Sequence, residues 1–519
     1  MTGSSMLRRN VWGLGGDDWP DPILWYARGV AAMQSKPLAD PLSWRFFAAI
    51  HGFDPDSWGE FGYYDAKHDS LPATTDLDLY WAQCWHGSWY FLPWHRGYLI
   101  AFESAVRAEI VALNGPADWT LPYWNYFASG QQAIPPAFAS TTWPDGGTNP
   151  LYVTARYGRN SDGVVVIPLD DPDFDISLDA LDDPVFAGSA DGGVQGFGGA
   201  DTGATHSSGT PHGHLESDPH DLIHVLIGGI DKPGVMSSPV TAGLDPIFWL
   251  HHANIDRLWE VWRRNSPTTH TDPADASWLK GPAPAGGPAF VMPLAATTTG
   301  QGPTSWSYTP AQMSDLASLN YGYDDYEDDG TTQRSRRRMR ARPTPDRRRA
   351  QGRELAMPES TSPGDAKLIG ASRESMNIIG RESTTALQLT SPDVSPRRRL
   401  RARSAEAEPR PERVYLNLEN VTAARDGAIL RVYVGGPGGV DEQVAGSVAL
   451  FGAAPQSRTG GGTANDGLTV VLDITDLVED LNLSDNELNE LSIRVVPVAQ
   501  LDAESDVKIG RLSLYTQSQ

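Results

Sequence analysis

The distribution of histidines constrains the fold of this chain more than any other feature. All 12 histidines occur before residue 330 of the 519, and seven of them fall into two groups. The members of these groups are His51, His86 and His95, and then His220, His224, His251 and His252. A fold that gathers either group would place several imidazoles at one point.

Local patterns indicate how the histidines are presented. The i,i+4 spacing of His220 and His224 predicts that one helix carries both on one face. Pro93 argues against a single helix through His86 and His95, so a new helix is predicted to start at His95. Apolar residues recur with helical spacing over 98–110, and a second helix is predicted over 254–264. The first 330 residues are therefore expected to be mainly helical, with long loops such as 128–210.

The two groups together favour a pair of metal ions. A lone histidine is usually a hydrogen-bonded structural residue, but two groups that each supply three imidazoles are hard to explain by packing. Imidazole suits zinc, copper, iron and nickel. The absence of an obvious carboxylate ligand favours redox-active copper, although a dinuclear zinc hydrolase remains an alternative at this point.

Composition excludes several classes of protein. The net charge of −24 and the pI of about 4.8 argue against a nucleic-acid partner, because phosphate binding needs a basic face. Cys84 is the only cysteine, so no intramolecular disulfide is possible. There is no apolar run of about eighteen residues, so no membrane partner is expected. No secretory signal is seen, and a cytoplasmic location is the expectation.

A basic segment interrupts this acidic chain. Residues 331–412 contain 19 Lys and Arg and 10 Asp and Glu, against 22 and 55 in the rest of the chain. The Arg- and Pro-rich stretch 333–363 predicts a linker over 331–364, and 395–412 is a second such insert. Either a solvated loop or a protease-sensitive activation linker would have this composition. The predicted domains are 1–330 and 365–519.

The region after the linker has a different periodicity. Short runs rich in β-branched residues alternate with turn residues, which predicts a C-terminal all-β, sandwich-like domain. One short helix is predicted over 474–482. The predicted strands are 414–418, 429–434, 447–451, 468–472, 491–497 and 507–515.

Two stretches resemble the copper signatures of one family. HGSWYFLPWHRGYLIAFE at 86–103 resembles the first signature of tyrosinases and polyphenol oxidases, and DPIFWLHHANID at 245–256 resembles the second. The resemblance implies a mainly α copper core built on a four-helix bundle, with two copper ions per chain. His251 would neighbour a ligand without being one. The ligands implied for the first copper are His51, His86 and His95, and those for the second are His220, His224 and His252.

The resemblance also implies a reaction. Members of this family use O₂ to oxidise small phenolic substrates, and o-diphenols become o-quinones. Glu216 resembles a glutamate that holds a water in such enzymes, whereas Asp221 stands where its asparagine partner is usual. This departure implies that o-diphenols are preferred over the ortho-hydroxylation of monophenols, although Asp221 itself would be able to accept a proton. The alternatives are a haemocyanin-like reversible O₂ carrier and an o-aminophenol oxidase.

Further residues match features of the family. Cys84 lies two residues before His86, and in fungal tyrosinases and molluscan haemocyanins such a cysteine forms a thioether with the copper-binding histidine. The alternative for Cys84 is a small buried residue. The sequence 321–323, Tyr-Gly-Tyr, resembles the Tyr-x-Tyr motif that ends the core, and Arg28 resembles its arginine partner.

The C-terminal region is similar to the β domain of plant polyphenol oxidases. In similar proenzymes this domain covers the copper site with an apolar side chain until it is removed. Leu450 and Phe451 are the candidates for such a plug in this chain. The chain is therefore expected to be latent, and an activating protease that cuts within 333–363 is the expected macromolecular partner.

Overall fold

Helices dominate the N-terminal part of the chain. The computed structural model describes residues 6–160, 163–205, 209–282, 290–296, 303–328, 366–389, 412–455, 467–480, 490–501 and 503–518. The predicted linker 331–364 and the insert 395–411 lie outside these residues. No helix in the described ranges is long and apolar enough to cross a membrane.

The core helices follow one another with long loops between them, as expected from the sequence. They are α1 (Asp21–Gln34), α2 (Trp44–His51), α3 (Pro55–Glu60), α4 (Thr74–Tyr80), α5 (Phe91–Ala112), α6 (Pro136–Ala139), α7 (Leu222–Gly228), α8 (Pro239–Ala242), α9 (Pro246–Asn265), α10 (Ala276–Lys280), α11 (Pro310–Met313) and α12 (Leu316–Leu319). The short core strands are β1 (Met6–Arg8), β2 (Ala187–Gly188), β3 (Gly199–Ala200), β4 (Phe290–Leu294), β5 (Thr304–Tyr308) and β6 (Tyr321–Tyr323).

The two longest helices, α5 and α9, form the centre of the core. Helix α5 begins at Phe91, four residues before the predicted start, because Pro93 falls in the first turn, where its missing N–H breaks no helical hydrogen bond. Helix α9 begins after Asp245, whose carboxylate accepts the N–H of Ile247 at 3.0 Å. Phe102 of α5 stacks on Trp249 of α9, with 3.4 Å between ring centroids. This packing fixes the spacing of the two helices.

A buried ionic network ties the chain termini of the core to these helices. Strand β1 pairs in parallel with β6, which places Arg8 opposite Tyr323 and over the ring of Tyr321, 4.2 Å from its centroid. Arg8 also donates to Glu103 of α5 at 2.9 Å, and Tyr321 donates to Asp256 of α9 at 2.7 Å. The arginine partner of the Tyr-x-Tyr motif is therefore Arg8.

The prediction that Arg28 fills this role was wrong. Arg28 lies on α1, and it forms a partly exposed ion pair with Asp145 at 2.6 Å. The strand pairing that brings Arg8 to the motif joins two segments more than 300 residues apart, and local sequence does not reveal such a pairing.

The described part of the C-terminal domain consists of β-strands joined by loops, one short α-helix (Thr475–Asp480) and two short 3₁₀ helices. Its nine described strands are β7 (Lys367–Ala371), β8 (Met376–Ile378), β9 (Ser383–Leu389), β10 (Glu412–Thr422), β11 (Ile429–Gly435), β12 (Gln443–Ala449), β13 (Leu468–Asp473), β14 (Glu490–Pro497) and β15 (Val507–Ser518). They form one sheet with the order β12-β11-β14-β9-β7-β15-β10-β13, and β8 pairs with β15. In β11 and β14, buried residues alternate with partly buried ones over 430–434 and 493–497, as expected of strands with one face toward a core.

The β domain packs directly on the helical core. The N–H of Val194 donates to the side-chain oxygen of Gln517 at 2.8 Å, and the N–H of His212 donates to the carbonyl of Thr469 at 3.2 Å. Ser238 donates to the carboxylate of Asp426 at 2.7 Å. These contacts place 450–455, the described residues that follow β12, next to the helices that carry the histidines.

Candidate metal centre

Three elements bring the first group of histidines together. His51 is the last residue of α2, His86 lies in the loop before α5, and His95 lies in the first turns of α5. The ring centroids are 5.4 Å apart for His51 and His86, and 5.6 Å apart for each of the other two pairs. One ring nitrogen of each histidine and the sulfur of Cys84 all lie within 4.8 Å of one another. This cluster has the geometry of one metal site.

The second group is held mainly by α7 and α9. His224 lies on α7, and His252 lies on α9. His220 lies just before α7, on a π-helical turn (Glu216–Asp221), so the predicted pair does not share one regular α-helix. The centroids of His220 and His224 are nevertheless 4.5 Å apart, and the Nε2 atoms of His224 and His252 are 3.2 Å apart. The second cluster also offers three converging imidazoles.

The two clusters face each other. The ring of His95 stacks on that of His252, with 4.5 Å between centroids and 10° between planes. The rings of His86 and His220 are 5.6 Å apart. Two metal ions held by these clusters would be neighbours, which is the arrangement that two-metal chemistry requires.

Hydrogen bonds at Nδ1 orient five of the six rings. An imidazole that donates from Nδ1 leaves the lone pair of Nε2 free for a metal ion. Three rings face backbone carbonyl groups and two face carboxylates. The pairs are His51 with the carbonyl of Pro239 (2.7 Å), His95 with that of Phe91 (2.8 Å), His224 with that of Met236 (3.2 Å), His86 with Glu216 (2.8 Å) and His220 with Asp221 (2.8 Å).

Burial keeps five of these six imidazoles neutral. Burial, together with the neighbouring His86, lowers the pKa of His51 to about 3. Burial and the surrounding imidazoles also hold the pKa of four others well below the usual range, namely His95, His220, His224 and His252. A neutral imidazole is the form that binds a metal ion.

The donor set fits copper. The buried Nε2 of His220 has no hydrogen-bond partner among the described residues, which is expected of an atom that is reserved for a metal ion. Neither group of candidate ligand atoms contains a carboxylate oxygen. Six neutral imidazoles suit a metal that cycles through a soft reduced state better than they suit a hard cation.

The two predicted carboxylates both lie beside the centre. Glu216 is buried, and besides His86 it accepts the N–H of Gly87 at 3.0 Å. Asp221 is also buried, and it bridges two imidazoles, since His212 lies 2.8 Å from its second oxygen. Burial raises the pKa of both carboxyl groups. Each carboxylate thus holds a candidate ligand, and a role in binding a catalytic water stays a prediction.

Sequence reasoning missed His212. It lies in the stretch HGHLESDPH, eight residues before His220, and that local density of histidines was the available signal. His251, which precedes His252, also offers a ring nitrogen to the second cluster, and its Nδ1 is 3.2 Å from the hydroxyl of Tyr126. Among the described ring contacts, however, it reaches no histidine of the first cluster. The orientation of His252 toward His95 and His224 supports His252 as the ligand.

Cys84 lies within the first cluster. It is buried, and its sulfur is 3.4 Å from Nε2 of His95. Burial raises the pKa of the thiol well above its usual value, and the charge of Glu216 adds to this effect. The thioether between Cys84 and His86 stays a prediction.

One residue of the β domain reaches the imidazoles. The ring of Phe451 stacks on His224 with 4.2 Å between centroids, and it lies 5.6 Å from both His86 and His220. Leu450 packs instead into the hydrophobic core of its own β domain. Of the two predicted plug residues, only Phe451 faces the centre, because neighbouring residues at a strand end point to opposite sides.

The helical core and its paired imidazole clusters define the class as a protein with a binuclear metal centre. Comparison with known proteins identifies the family. Residues 41–265 match the family described as the common central domain of tyrosinase, and residues 365–517 match a domain of unknown function (DUF7868).

A relative matches over almost the whole chain. Tyrosinase HcTyr1 of Hahella sp. (strain CCB-MM4) is 30% identical over 518 residues, covering 96% of this chain and 97% of that protein. The chloroplastic polyphenol oxidase of Vitis vinifera is 29% identical over 269 residues, covering 49% of this chain and 39% of the relative. The chain belongs to the tyrosinase family. It is an oxidoreductase of the tyrosinase and catechol oxidase type, with two copper ions per chain.

Solved structures share the two-domain fold. A recombinantly expressed latent aurone synthase (polyphenol oxidase) matches with a TM-score of 0.59 and 19% identity, covering 99% of this chain and 90% of that one. A latent apple tyrosinase matches with a TM-score of 0.57 and 19% identity, covering 100% and 98%. At this identity the match concerns the fold, including the β domain that follows the core.

Proposed function

We propose that this chain oxidises small o-diphenols to o-quinones with O₂, and that the described arrangement is its latent form. The ring of Phe451 against His224 is the observation that carries the proposal of latency. The six histidines implied by the family signatures are proposed as the ligands, with His51, His86 and His95 at one copper and His220, His224 and His252 at the other.

The protein residues prepare this chemistry. Two bound copper ions would supply the electron transfer between the diphenol and O₂. The hydrogen bonds at Nδ1 hold the imidazoles in place, with carboxylates at His86 and His220 and carbonyl groups at three others. Aromatic packing around the centre, such as Phe248 at 4.2 Å from the ring of His252, keeps the site dry. A dry, ordered site favours reaction over leakage of reactive oxygen species.

Phe451 lies against imidazoles of both groups, where a phenolic substrate is proposed to bind. It is fully buried and stacks on His224 at 21° between ring planes. An aromatic substrate that approaches the same imidazole would have to displace it. The plug therefore competes with substrate, and its effective concentration is high because it belongs to the same chain.

The loop that presents Phe451 is itself fixed to both domains. One carboxylate oxygen of Asp426 accepts the N–H groups of Gly452 at 3.1 Å and Ala454 at 2.8 Å. The other oxygen accepts the hydroxyl of Ser238, next to the residue whose carbonyl holds His51. Asp426 thus connects residues 451–454, called here the plug turn, to the core. This connection explains how the turn keeps the ring of Phe451 in place.

Activation is proposed to need removal of the β domain. The linker 331–364 is rich in arginine, and an activating protease of trypsin-like specificity would cut it within 333–363. Cutting alone leaves the interface intact, so the freed domain must also dissociate.

The test measures oxygen uptake with catechol and copper per chain. The intact chain, the chain cut by an Arg-specific protease, and the cut core separated from its β domain are compared. We expect about two copper ions in each, low uptake in the first and high uptake in the separated core. A monophenol and an o-aminophenol in parallel assays distinguish the related oxidases. Equal uptake by the intact chain and the separated core would refute latency, and reversible O₂ binding without catechol turnover would indicate a carrier.

A further inference from the structure

His212 is a buried imidazole that lies between the two carboxylates of the centre. Its Nδ1 is 2.8 Å from Oδ2 of Asp221 and 3.7 Å from Oε1 of Glu216. It is 6% exposed, it directly follows residue 211, and it lies outside both copper signatures. His212 is not one of the six proposed ligands.

Asp221 connects His212 to the second metal position. Its Oδ1 accepts Nδ1–H of His220, while Oδ2 accepts Nδ1–H of His212. Without the second donor, one oxygen of a buried carboxylate would lose its partner, and the carboxylate would be free to rotate away from His220. The orientation of the His220 ring therefore depends on both bonds.

His212 is also held by contacts of its backbone and of its ring. Its backbone N–H donates to the carbonyl of Thr469 in the β domain at 3.2 Å. A Cβ atom added to Gly87 would lie 3.3 Å from Cδ2 of His212, so the ring packs closely on the loop that carries His86. Its ring centroid is 6.0 Å from that of His86. A side chain that is held so closely can fix the groups it touches.

We infer that His212 is a positioning residue of the copper centre, which holds Asp221 so that Asp221 holds His220 toward the second copper. The inference rests on the proposed function only in taking His220 as a ligand. Partners that orient a metal-binding histidine typically change metal affinity by 10–100-fold when they are removed. His212 acts one bond further out, through the carboxylate, and the lower part of that range is expected.

The chain offers a matched control two residues away. His214 also faces an aspartate, with its Nδ1 2.9 Å from Asp183, although this pair is partly exposed. Asp183 bonds no proposed ligand among the described hydrogen bonds. Loss of His214 therefore removes a nearby His–Asp pair without touching the support of His220.

The test uses the full-length apoprotein titrated with Cu(I) in competition with a chromophoric chelator. In His212→Asn the amide N–H takes the place of Nδ1–H, whereas in His212→Gln it takes the place of Nε2 and does not reach Asp221. We expect His212→Leu and His212→Gln to bind one of the two copper ions about tenfold more weakly. His212→Asn should recover most of the affinity, and His214→Leu should bind both ions as the unaltered chain does.

Two results would overturn the inference. One is equal copper affinity in His212→Asn and His212→Gln, a comparison that stands even if His212→Leu does not fold. The other is an equal loss of affinity in His214→Leu. His220→Ala separates this inference from the ligand assignment: if it keeps both copper ions, the assignment of His220 fails, and if it loses one while His212→Gln loses none, only the role of His212 fails.

Discussion

The two domains meet at the metal centre with opposite chemistry. The helical core supplies the imidazoles, and all of them except His252 are held by a hydrogen bond at Nδ1 to an acceptor in the core itself. The β domain supplies one benzyl ring, Phe451, and a few polar contacts around it. The core therefore determines whether the metal binds, and the β domain determines whether substrate reaches it. Variants on the two sides should separate copper content from access.

The largest effect is expected on the core side, at His252. His252→Ala removes a proposed ligand, so one copper ion and the oxidase activity of the separated core should be lost. The adjacent His251 is the matched control: its ring contacts those of His220 and His224, but among the described contacts only His252 of the pair stacks on His95 of the first group. His251→Gln should keep both copper ions. Metal analysis of the purified chains measures this difference. Loss of copper in His251→Gln but not in His252→Ala would exchange the roles of the two residues.

The next effect is expected on the β-domain side, at Phe451. Burial of an aromatic side chain contributes about 1.5–3 kcal/mol, so Phe451→Ala should raise the open population of the intact chain by about 10–100-fold. Catechol oxidation by the uncut chain should rise accordingly, while copper content stays unchanged. The separated core, which lacks residue 451, is the internal reference for full activity. A loss of copper in this variant would contradict the division of roles between the domains.

A smaller effect is expected at Asp426, which orients the plug turn. Asp426→Ala leaves the N–H groups of Gly452 and Ala454 and the hydroxyl of Ser238 without this acceptor, so the turn should be held less firmly. The activity of the uncut chain should rise, though less than in Phe451→Ala. Asp173 pairs with Arg431 across the same interface but is largely exposed, so Asp173→Ala should change activity little. Equal effects of the two substitutions would mean that exposed pairs such as Asp173 and Arg431 hold the domains together as firmly as the plug turn does.

The sequence predicted the helices that carry the histidines better than it predicted the contacts between distant residues that hold them in place. The signatures at 86–103 and 245–256 are local, and the helices α5 and α9 follow from apolar spacing within them. The bond between His86 and Glu216 spans 130 residues, and the contact of Arg8 with Tyr321 depends on a pairing of distant strands. Contacts of this kind come from tertiary packing, for which local spacing carries no signal.

In the β domain too, features with a local pattern were predicted, and features that depend on tertiary packing were not. Its six predicted runs lie within or overlap strands β10–β15, because runs of β-branched residues between turn residues are a local signal. The choice between Leu450 and Phe451 was not local, because it depends on which face of the strand end meets the core. Strands β7, β8 and β9 were not among the predicted runs. Strand β8 has only three residues, Met376–Ile378, which are too few to display a period.

The smallest effect is expected at Cys84, where the covalent and packing alternatives differ mainly in mass. Its buried thiol has a raised pKa, so little thiolate forms, and a bond to His86 would need oxidation by copper and O₂ in the folded protein. Such a bond joins the sulfur to a ring carbon, with the loss of two protons to solvent and of two electrons to the oxidant. Peptide mapping of the copper-loaded chain should therefore show Cys84 and His86 crosslinked.

The apoprotein, expressed without copper, is the control, and its Cys84 should be fully alkylated after denaturation. Complete alkylation of the copper-loaded chain as well would leave Cys84 as a small buried residue of the first cluster. Cys84→Ala would then change little beyond packing, because its sulfur lies 3.4 Å from His95, a ring already oriented by the carbonyl of Phe91. If the crosslink exists, the same substitution removes a covalent restraint from the loop that carries His86, leaving its hydrogen bonds to Glu216. The first cluster should then lose copper to a chelator faster than the second, whose histidines lie on or next to helices.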